Sequence, residues 1–179
     1  MDEGKDRTRP APPLGHAAPL ALHGESVLPA WIDYNGHMNL AYYLLAFDHA
    51  TDALQDVVGL DAGYREATGG SVFVAEAHLT YASEVMPGEE IRIRTRVLDV
   101  DGKRLHLFHE MFAGPENAQE PGRLAATSEL MILHVDLADR RTTPFPARVR
   151  ERLEGMKAAQ SAVPPPPQAG RRIEMKKKI

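Results

Sequence analysis

The segment 33–39, Asp-Tyr-Asn-Gly-His-Met-Asn, concentrates the side chains that could do chemistry. Asp33 supplies a carboxylate, which can act as a nucleophile or as a general base. Asn35 and His37 add hydrogen-bonding groups within four residues of it. Gly36 permits a sharp turn or a close backbone approach. These residue types, crowded together, predict a site for acyl transfer.

A long helix must follow this segment and position it. Over residues 39–58 apolar side chains recur at steps of three and four, which is typical of one face of a helix. Asn39 suits the N-cap, and Gly59 suits the position after the last turn. The start of such a helix presents unpaired N–H groups and the positive end of its dipole, so it can bind a polarised carbonyl oxygen. Alternatively, Asp33 and Asn39 only cap the helix.

The remaining patterns indicate strands and one more helix. A short strand is expected over residues 26–32. After the long helix come runs typical of strands over 72–81, 91–97, 105–111 and 124–135, with a hairpin turn at Asp101-Gly102. A short helix is expected over 146–159. The order predicts an α+β fold in which one long helix packs on a four-stranded antiparallel meander.

Composition narrows the class of protein. The chain has 179 residues, a net charge of −4 and no cysteine. We therefore expect no nucleic-acid partner, no disulfide and no thiolate metal site. No apolar run reaches the roughly 20 residues that span a membrane, and no secretory signal is visible, so we expect no membrane partner and a cytoplasmic location. Residues 1–20 are expected to form a disordered arm, 21–160 one domain, and 161–179 a disordered, proline-rich basic tail.

The pattern Asp-x-x-Gly-His-x-Asn, followed by Tyr43, Phe47 and Asp48, resembles the 4-hydroxybenzoyl-CoA thioesterase branch of the hotdog superfamily. The resemblance implies a curved antiparallel sheet wrapped around the long helix, and homodimers or homotetramers with active sites between subunits. It implies that Asp33 is the catalytic aspartate and that the backbone N–H near Leu40 polarises the thioester carbonyl. Asn35 and His37 would shape the site. Leu40 departs from the second asparagine of many relatives.

Within this branch the chain more closely resembles betainyl-CoA thioesterases of carnitine breakdown. The similarity rests on residues 31–39, 50–54, 102–109 and 133–136. It implies that the substrate is betainyl-CoA. Trp31 and Asp33 are two apart on a predicted strand and would face one side, so the indole could hold a trimethylammonium group by cation–π attraction. Alternatively, Trp31 packs in the core.

Further binding residues are expected around this centre. The predicted substrate-binding residues are Trp31, Tyr34, Gly36, Asn39, Tyr43 and Glu76. Glu76 either supports the site or faces solvent on the outer side of the sheet. The predicted CoA-binding residues are Arg92, Arg94, Arg96, Lys103 and Arg104, because guanidinium and ammonium groups suit phosphates. They would otherwise form a solvated face with salt bridges. No cofactor and no metal are expected.

Three other functions stay open. The chain could hydrolyse another short-chain, aryl or medium- to long-chain acyl-CoA. It could be a hotdog hydratase or dehydratase, for which His49 beside Asp48 is the only hint in the sequence. It could also bind acyl-CoA without catalysis.

Overall fold

The computed structural model describes residues 19–115 and 122–175. Predictions that concern residues 1–18, the loop 116–121 and the terminal lysines 176–178 lie outside these residues. The helices are α1, Leu40–Val58; α2, Ala62–Thr68; and α3, Ala147–Gln160. The strands are β1, Leu20–Ser26; β2, Gly70–Tyr81; β3, Glu90–Val100; β4, Arg104–Ala113; β5, Arg123–Asp136; and β6, Arg141–Thr142.

The strands form one antiparallel sheet in the order β1-β3-β4-β5-β2, with the short β6 paired to β5. The α+β class is confirmed, but the predicted meander is wrong for β2. Strands β3, β4 and β5 are consecutive neighbours, whereas β2 pairs with β5 at the far edge. Between β1 and β2 the chain runs through α1 and α2, so it reaches the opposite edge before the meander begins. Periodicity identifies strands but does not specify their partners.

Helix α1 lies on the inner face of the sheet. Its cap is as predicted: Asn39 accepts a hydrogen bond from the Ala41 amide, and Gly59 ends the helix in the left-handed conformation with φ of 92°. Its buried side chains are Tyr43, Ala46, Phe47, Ala50, Thr51, Leu54 and Val58. They pack on the inward residues of β3 and β4, which include Ile91, Ile93, Leu107 and Met111. The amphipathic pattern that predicted the helix is therefore the pattern that buries it.

The predicted first strand over residues 26–32 is wrong. The strand runs earlier, over Leu20–Ser26, and Pro29–Trp31 forms a short 3-10 helix. Proline at the start of that turn has no N–H to donate to a strand neighbour, but it suits the first helical position. The real strand escaped detection because its polar residues interrupt the alternation. Helix α2 and strand β6 were also missed, since each is short and carries little apolar pattern.

Part of the predicted tail lies on the outer face of the sheet. Arg96 on β3 donates from Nη1 to the carbonyl oxygens of Val163 at 3.0 Å and Pro164 at 2.8 Å. The amide of Gly170 donates to the Glu129 carboxylate on β5 at 2.7 Å. Residues 163–170 therefore follow the sheet after α3 ends. Within residues 19–115 and 122–175, no helix has the length and apolar character needed to cross a membrane.

Candidate active site

The segment 33–39 forms a tight reverse turn between the 3-10 helix and α1. Ile32 and Met38 form an antiparallel bridge, and the Asp33 amide donates to the His37 carbonyl at 3.1 Å. At the tip the Gly36 amide donates to the Asp33 carbonyl at 3.0 Å. Gly36 has φ of 83°, a conformation that side chains with a Cβ rarely adopt. The turn therefore requires the glycine and brings both of its ends to the start of α1.

The Asp33 carboxylate is held at both oxygens. Oδ1 accepts from the Asn35 amide at 2.8 Å, and Oδ2 accepts from the Asn39 side-chain amide at 3.3 Å. Asn39 uses its own Oδ1 to accept from the Ala41 amide at 3.0 Å. Asn39 therefore caps the helix, as the sequence predicted, and its side chain also contacts the Asp33 carboxylate.

The first turn of α1 leaves a donor available next to this carboxylate. Asn39 accepts from the Ala41 amide through its side chain and from the Tyr42 amide through its carbonyl. The Leu40 amide has no hydrogen-bond acceptor among residues 19–115 and 122–175. The Leu40 side chain is 65% exposed, so the start of the helix is open to solvent. An open amide at a helix N-terminus suits an oxyanion.

A pocket of about 420 Å³ joins these groups. It brings together most of the predicted catalytic and substrate-binding residues, namely Asp33, Tyr34, Asn35, His37, Asn39, Leu40 and Tyr43, with Gly36 in the same turn. Its opposite wall was missed by the sequence analysis and consists of Tyr81, Ala82, Ser83 and Glu84. These residues end β2 and begin the following loop. No local pattern connects them to Asp33, because the sheet brings together segments some fifty residues apart.

Aromatic and charged groups line the pocket beyond Asp33. The rings of Tyr43 and Tyr81 meet edge to face, with centroids 5.2 Å apart. Desolvation by burial raises the pKa of both phenols, so both are neutral at physiological pH. The Tyr81 hydroxyl donates to the Leu40 carbonyl at 3.4 Å. His37 places Nδ1 3.2 Å from the Met38 carbonyl and Nε2 3.9 Å from the Glu84 carboxylate.

Trp31 does not lie as predicted. It belongs to the 3-10 helix rather than to a strand, so the argument that it shares a face with Asp33 is wrong. Its indole is buried, with 6% exposed, and stacks on the Tyr42 ring at a centroid distance of 5.4 Å. The alternative of core packing is correct for this residue. Trp31 also stabilises the turn formed by residues 33–39, because its backbone carbonyl accepts a hydrogen bond from the Asn39 amide at 2.9 Å.

Glu76 lies away from the pocket. On β2 it pairs with Met131, while its neighbour Ala77 pairs with the inward, buried Leu130. Because successive side chains alternate, Glu76 points to the outer face. There it lines a separate pocket with His78, His106 and Glu129. Within this chain Glu76 therefore lies on the outer side of the sheet, the second of the two positions that the sequence allowed.

The five predicted CoA-binding residues divide into two groups. Arg92, Arg94 and Arg96 lie on the outer face of β3: Arg92 donates to the Gly114 carbonyl, Arg94 covers the Phe112 ring at 5.2 Å, and Arg96 holds the tail. Lys103 and Arg104 lie at the β3–β4 hairpin. Arg104 pairs with Asp101 at 2.6 Å. The backbone hydrogen bond from Lys103, with the side-chain and backbone hydrogen bonds from Arg104, lowers the Asp101 pKa to about 2.

Comparison with known proteins agrees with this geometry. The sequence profile of the thioesterase-like superfamily matches residues 27–153. The chain belongs to this superfamily. This member of the thioesterase-like superfamily is 42% identical to the betainyl-CoA thioesterase of Pseudomonas aeruginosa over 154 residues, which cover 86% of this chain and 94% of that protein.

Two further relatives extend the comparison. The L-carnitine dehydrogenase/betainyl-CoA thioesterase of Agrobacterium fabrum is 40% identical over 85% of this chain and matches over only 30% of its own length. A Staphylococcus aureus protein solved in complex with CoA superposes with a TM-score of 0.79 at 29% identity, covering 89% of this chain and 98% of that one. The hotdog fold implied by the sequence motif is confirmed.

Proposed function

We propose that this protein is an acyl-CoA thioesterase that hydrolyses betainyl-CoA to betaine and CoA. One observation carries the proposal: the Asp33 carboxylate, held at both oxygens, shares a pocket with the open Leu40 amide at the start of α1. Relatives named betainyl-CoA thioesterases support the choice of acyl group. Because acyl-CoA is an intracellular metabolite, we place the activity in the cytoplasm, with no cofactor.

In the proposed mechanism the thioester carbonyl oxygen accepts a hydrogen bond from the Leu40 amide. As the carbonyl carbon becomes tetrahedral, its oxygen gains negative charge that the amide and the helix dipole stabilise. Asp33 either removes a proton from the attacking water or attacks the carbonyl itself and forms a mixed anhydride that water cleaves. In both routes the C–S bond breaks, CoA leaves as a thiolate that takes up a proton, and one water is consumed.

The acyl group would lie against Tyr43 and Tyr81. A trimethylammonium group is attracted to aromatic faces, and the nearby Glu84 carboxylate adds a charge of opposite sign. Glu84 and the two tyrosines line the same pocket as Asp33. This assigns to Tyr81 the cation–π role that the sequence suggested for Trp31. Asn35, His37 and Tyr34 complete the rim.

Self-association is part of the proposal. Strand β2 is an edge of the sheet, and apolar side chains near that edge are exposed, including Phe73 at 37%, Val74 at 49% and Tyr81 at 51%. An exposed edge strand with apolar side chains readily pairs with another chain. We propose a homodimer or homotetramer in which β2 meets its equivalent in a second copy.

Contacts to CoA depend on this assembly. Lys103 and Arg104 lie at the start of β4, whose ten residues span roughly 30 Å toward the end nearer the pocket. They would reach CoA bound at the site of a neighbouring subunit. Arg92 and Arg94 stay in the proposal as outer-face phosphate contacts, and Glu76 as a group that a second subunit could approach. Of the five predicted CoA-binding residues, Arg96 has the least support, because it is 6% exposed and hydrogen-bonded to the carbonyl groups of Val163 and Pro164.

The test compares two substrates of the same shape. Betainyl-CoA and 3,3-dimethylbutyryl-CoA differ only by a quaternary nitrogen in place of a quaternary carbon. Thiol release is measured for both, together with acetyl-, butyryl-, long-chain and aryl-CoA. A kcat/KM for betainyl-CoA well above that of the neutral analogue supports the proposal. Equal kcat/KM values would support a thioesterase but contradict specificity for betainyl-CoA. If no ester released thiol, both parts of the proposal would be wrong.

The hydratase alternative lacks support from the pocket. His49, its only hint, points instead to Glu25 on β1, with Nδ1 3.0 Å from the carboxylate. Assay with an enoyl-CoA tests this alternative directly.

A further inference from the structure

Two histidines and a glutamate meet at the seam between β1 and α1, outside the candidate active site. Glu25 Oε1 lies 2.9 Å from His23 Nε2 and 3.0 Å from His49 Nδ1. All three ligand atoms lie within 4.8 Å of one another. The two imidazole rings meet edge to face at 5.5 Å.

The fold, rather than chance contact at the surface, brings these side chains together. On β1, His23 pairs with Ile93 and Glu25 with Ile91. Both isoleucines are fully buried on the inner face, and residues paired across strands share a face, so His23 and Glu25 point toward α1. The register shift between Ala21 and His23 sets this alternation.

The third group comes from the helix. His49 stands on α1 directly before the fully buried Ala50, at the border of the face that packs on the sheet. The side chains of His23, Glu25 and His49 are 23%, 21% and 38% exposed. The cluster is thus shielded on the protein side and open on the other.

We propose that His23, Glu25 and His49 bind one divalent transition-metal ion, with Zn²⁺ the best match, and that this ion fastens edge strand β1 to α1. Two imidazole nitrogens and one carboxylate oxygen are a ligand set that Zn²⁺ accepts, with water in the fourth position. Tetrahedral coordination at about 2.0–2.1 Å separates ligand atoms by about 3.3 Å. The contacts at 2.9 and 3.0 Å need to open by only a few tenths of an ångström.

The electrostatics favour a cation at this point. A carboxylate only accepts hydrogen bonds, so without metal both imidazoles must turn an N–H toward the same oxygen, Oε1. A metal ion replaces those two protons, so that two contacts competing for one oxygen become three bonds to one centre. This assignment departs from the sequence-based expectation of no metal. Two of the ligands, His23 and Glu25, lie on a strand that the sequence did not reveal, and the third lies 24 residues further along the chain, on α1.

The experiment uses untagged full-length protein, stripped with a chelator and titrated with Co²⁺ as a spectroscopic probe and then with Zn²⁺. We expect saturable binding of one ion per chain, an intense visible absorption typical of four-coordinate Co²⁺, its loss as Zn²⁺ displaces it, and a rise in Tm with Zn²⁺. Glu25→Gln, His23→Gln and His49→Gln should each weaken binding by at least about tenfold.

The matched control is His106→Gln, which removes a histidine paired with one carboxylate, Glu129, at 2.7 Å. It should leave metal binding and the Tm shift unchanged. Two results would overturn the proposal: no saturable binding by the wild type, or binding that survives in all three ligand variants when circular dichroism shows them folded. Neither result depends on thiol release, so this experiment tests the metal site independently of the proposed thioesterase activity.

Discussion

Asn39 links the carboxylate of Asp33, the proposed base or nucleophile, to the helix that would stabilise the oxyanion. Its side-chain amide donates to Asp33 at 3.3 Å while its side-chain oxygen accepts from the Ala41 amide at 3.0 Å. One residue therefore sets the position of the carboxylate relative to the first turn of α1. Movement of either group without the other would separate the base or nucleophile from the open Leu40 amide, because both act on the same carbonyl carbon.

Replacing Asp33 tests its chemical role. Asp33→Asn keeps the size and one acceptor oxygen but removes the charge, so the turn should survive. We expect kcat for thiol release to fall by about 10²–10⁴-fold, as for loss of a general base, or further if Asp33 is the nucleophile. Asp48→Asn, an exposed change on α1, serves as the control and should keep the wild-type rate. A near-normal rate in Asp33→Asn would remove this residue from the mechanism.

Two substitutions at Asn39 separate capping from positioning. Asn39→Ala loses both contacts, so it should lower the free energy of unfolding by about 1 kcal/mol and also lower kcat. Asn39→Ser restores a capping oxygen but cannot reach Asp33, so stability should return while kcat stays low. Urea unfolding and thiol-release assays measure the two effects. If serine restores activity as well as stability, the contact between Asn39 and Asp33 is unimportant for catalysis.

Tyr81 tests recognition of the substrate cation. Tyr81→Leu removes the aromatic face, and a cation–π contact of about 0.5–2 kcal/mol predicts a rise in KM for betainyl-CoA of about 2- to 30-fold. The KM for 3,3-dimethylbutyryl-CoA should change little. Tyr81→Phe keeps the ring and loses only the hydrogen bond to the Leu40 carbonyl, so it should keep the preference. An equal rise in KM for both substrates would mean that Tyr81 recognises the shape of the acyl group and not its charge.

His109 predicts a dependence of stability on pH. It is fully buried between Thr51 and Thr95, at 3.1 and 3.0 Å, and desolvation lowers its pKa to about 3 from an ordinary 6.5. The unfolded chain therefore binds the proton first as pH falls. This contribution to stability is complete above about pH 6.5 and is lost toward pH 3, with a slope of at most about 1.4 kcal/mol per pH unit.

The measurement is urea unfolding between pH 7 and pH 4 for the wild type, His109→Gln and His106→Gln. The His109 variant should be less stable at pH 7, because Thr51 and Thr95 lose their contacts to the buried imidazole, but its stability should decline less steeply with acid. His106→Gln leaves the buried His109 ring in place. Its free energy of unfolding should therefore fall with pH as steeply as that of the wild type. Parallel curves for the wild type and His109→Gln would mean that His109 is not neutral in the folded state.

The edge strand β2 tests self-association. Val74→Arg places a charge on an exposed apolar position, and we expect it to dissociate the oligomer and to lower kcat if sites form between subunits. Leu28→Arg is the control, since Leu28 is as exposed, at 50%, but lies outside β2. Sedimentation equilibrium measures the mass of each. An unchanged mass for Val74→Arg would place the interface elsewhere.

The local elements, and the residue types of the candidate site around Asp33, can be predicted from the amino-acid sequence alone. Helix α1 and its caps, the Asp101-Gly102 hairpin and the turn at Gly36 follow from periodicity and from residues with restricted conformations, because these features depend on near neighbours in the chain. The placement of Asp33 beside the start of a helix followed from the same local logic. Trp31 was misplaced because the proline two residues before it redirects the backbone into a 3-10 turn.

The residues that lie opposite Asp33 depend on how the strands pair, which local sequence patterns do not show. The pairing of β2 with β5 at the far edge brings Tyr81 and Glu84 to the pocket and turns Glu76 to the outer face. The register of β1 on β3 brings His23 and Glu25 to His49. Strand order and register depend on which apolar faces can be buried together by the whole chain, and a shift of one residue would exchange inner and outer side chains.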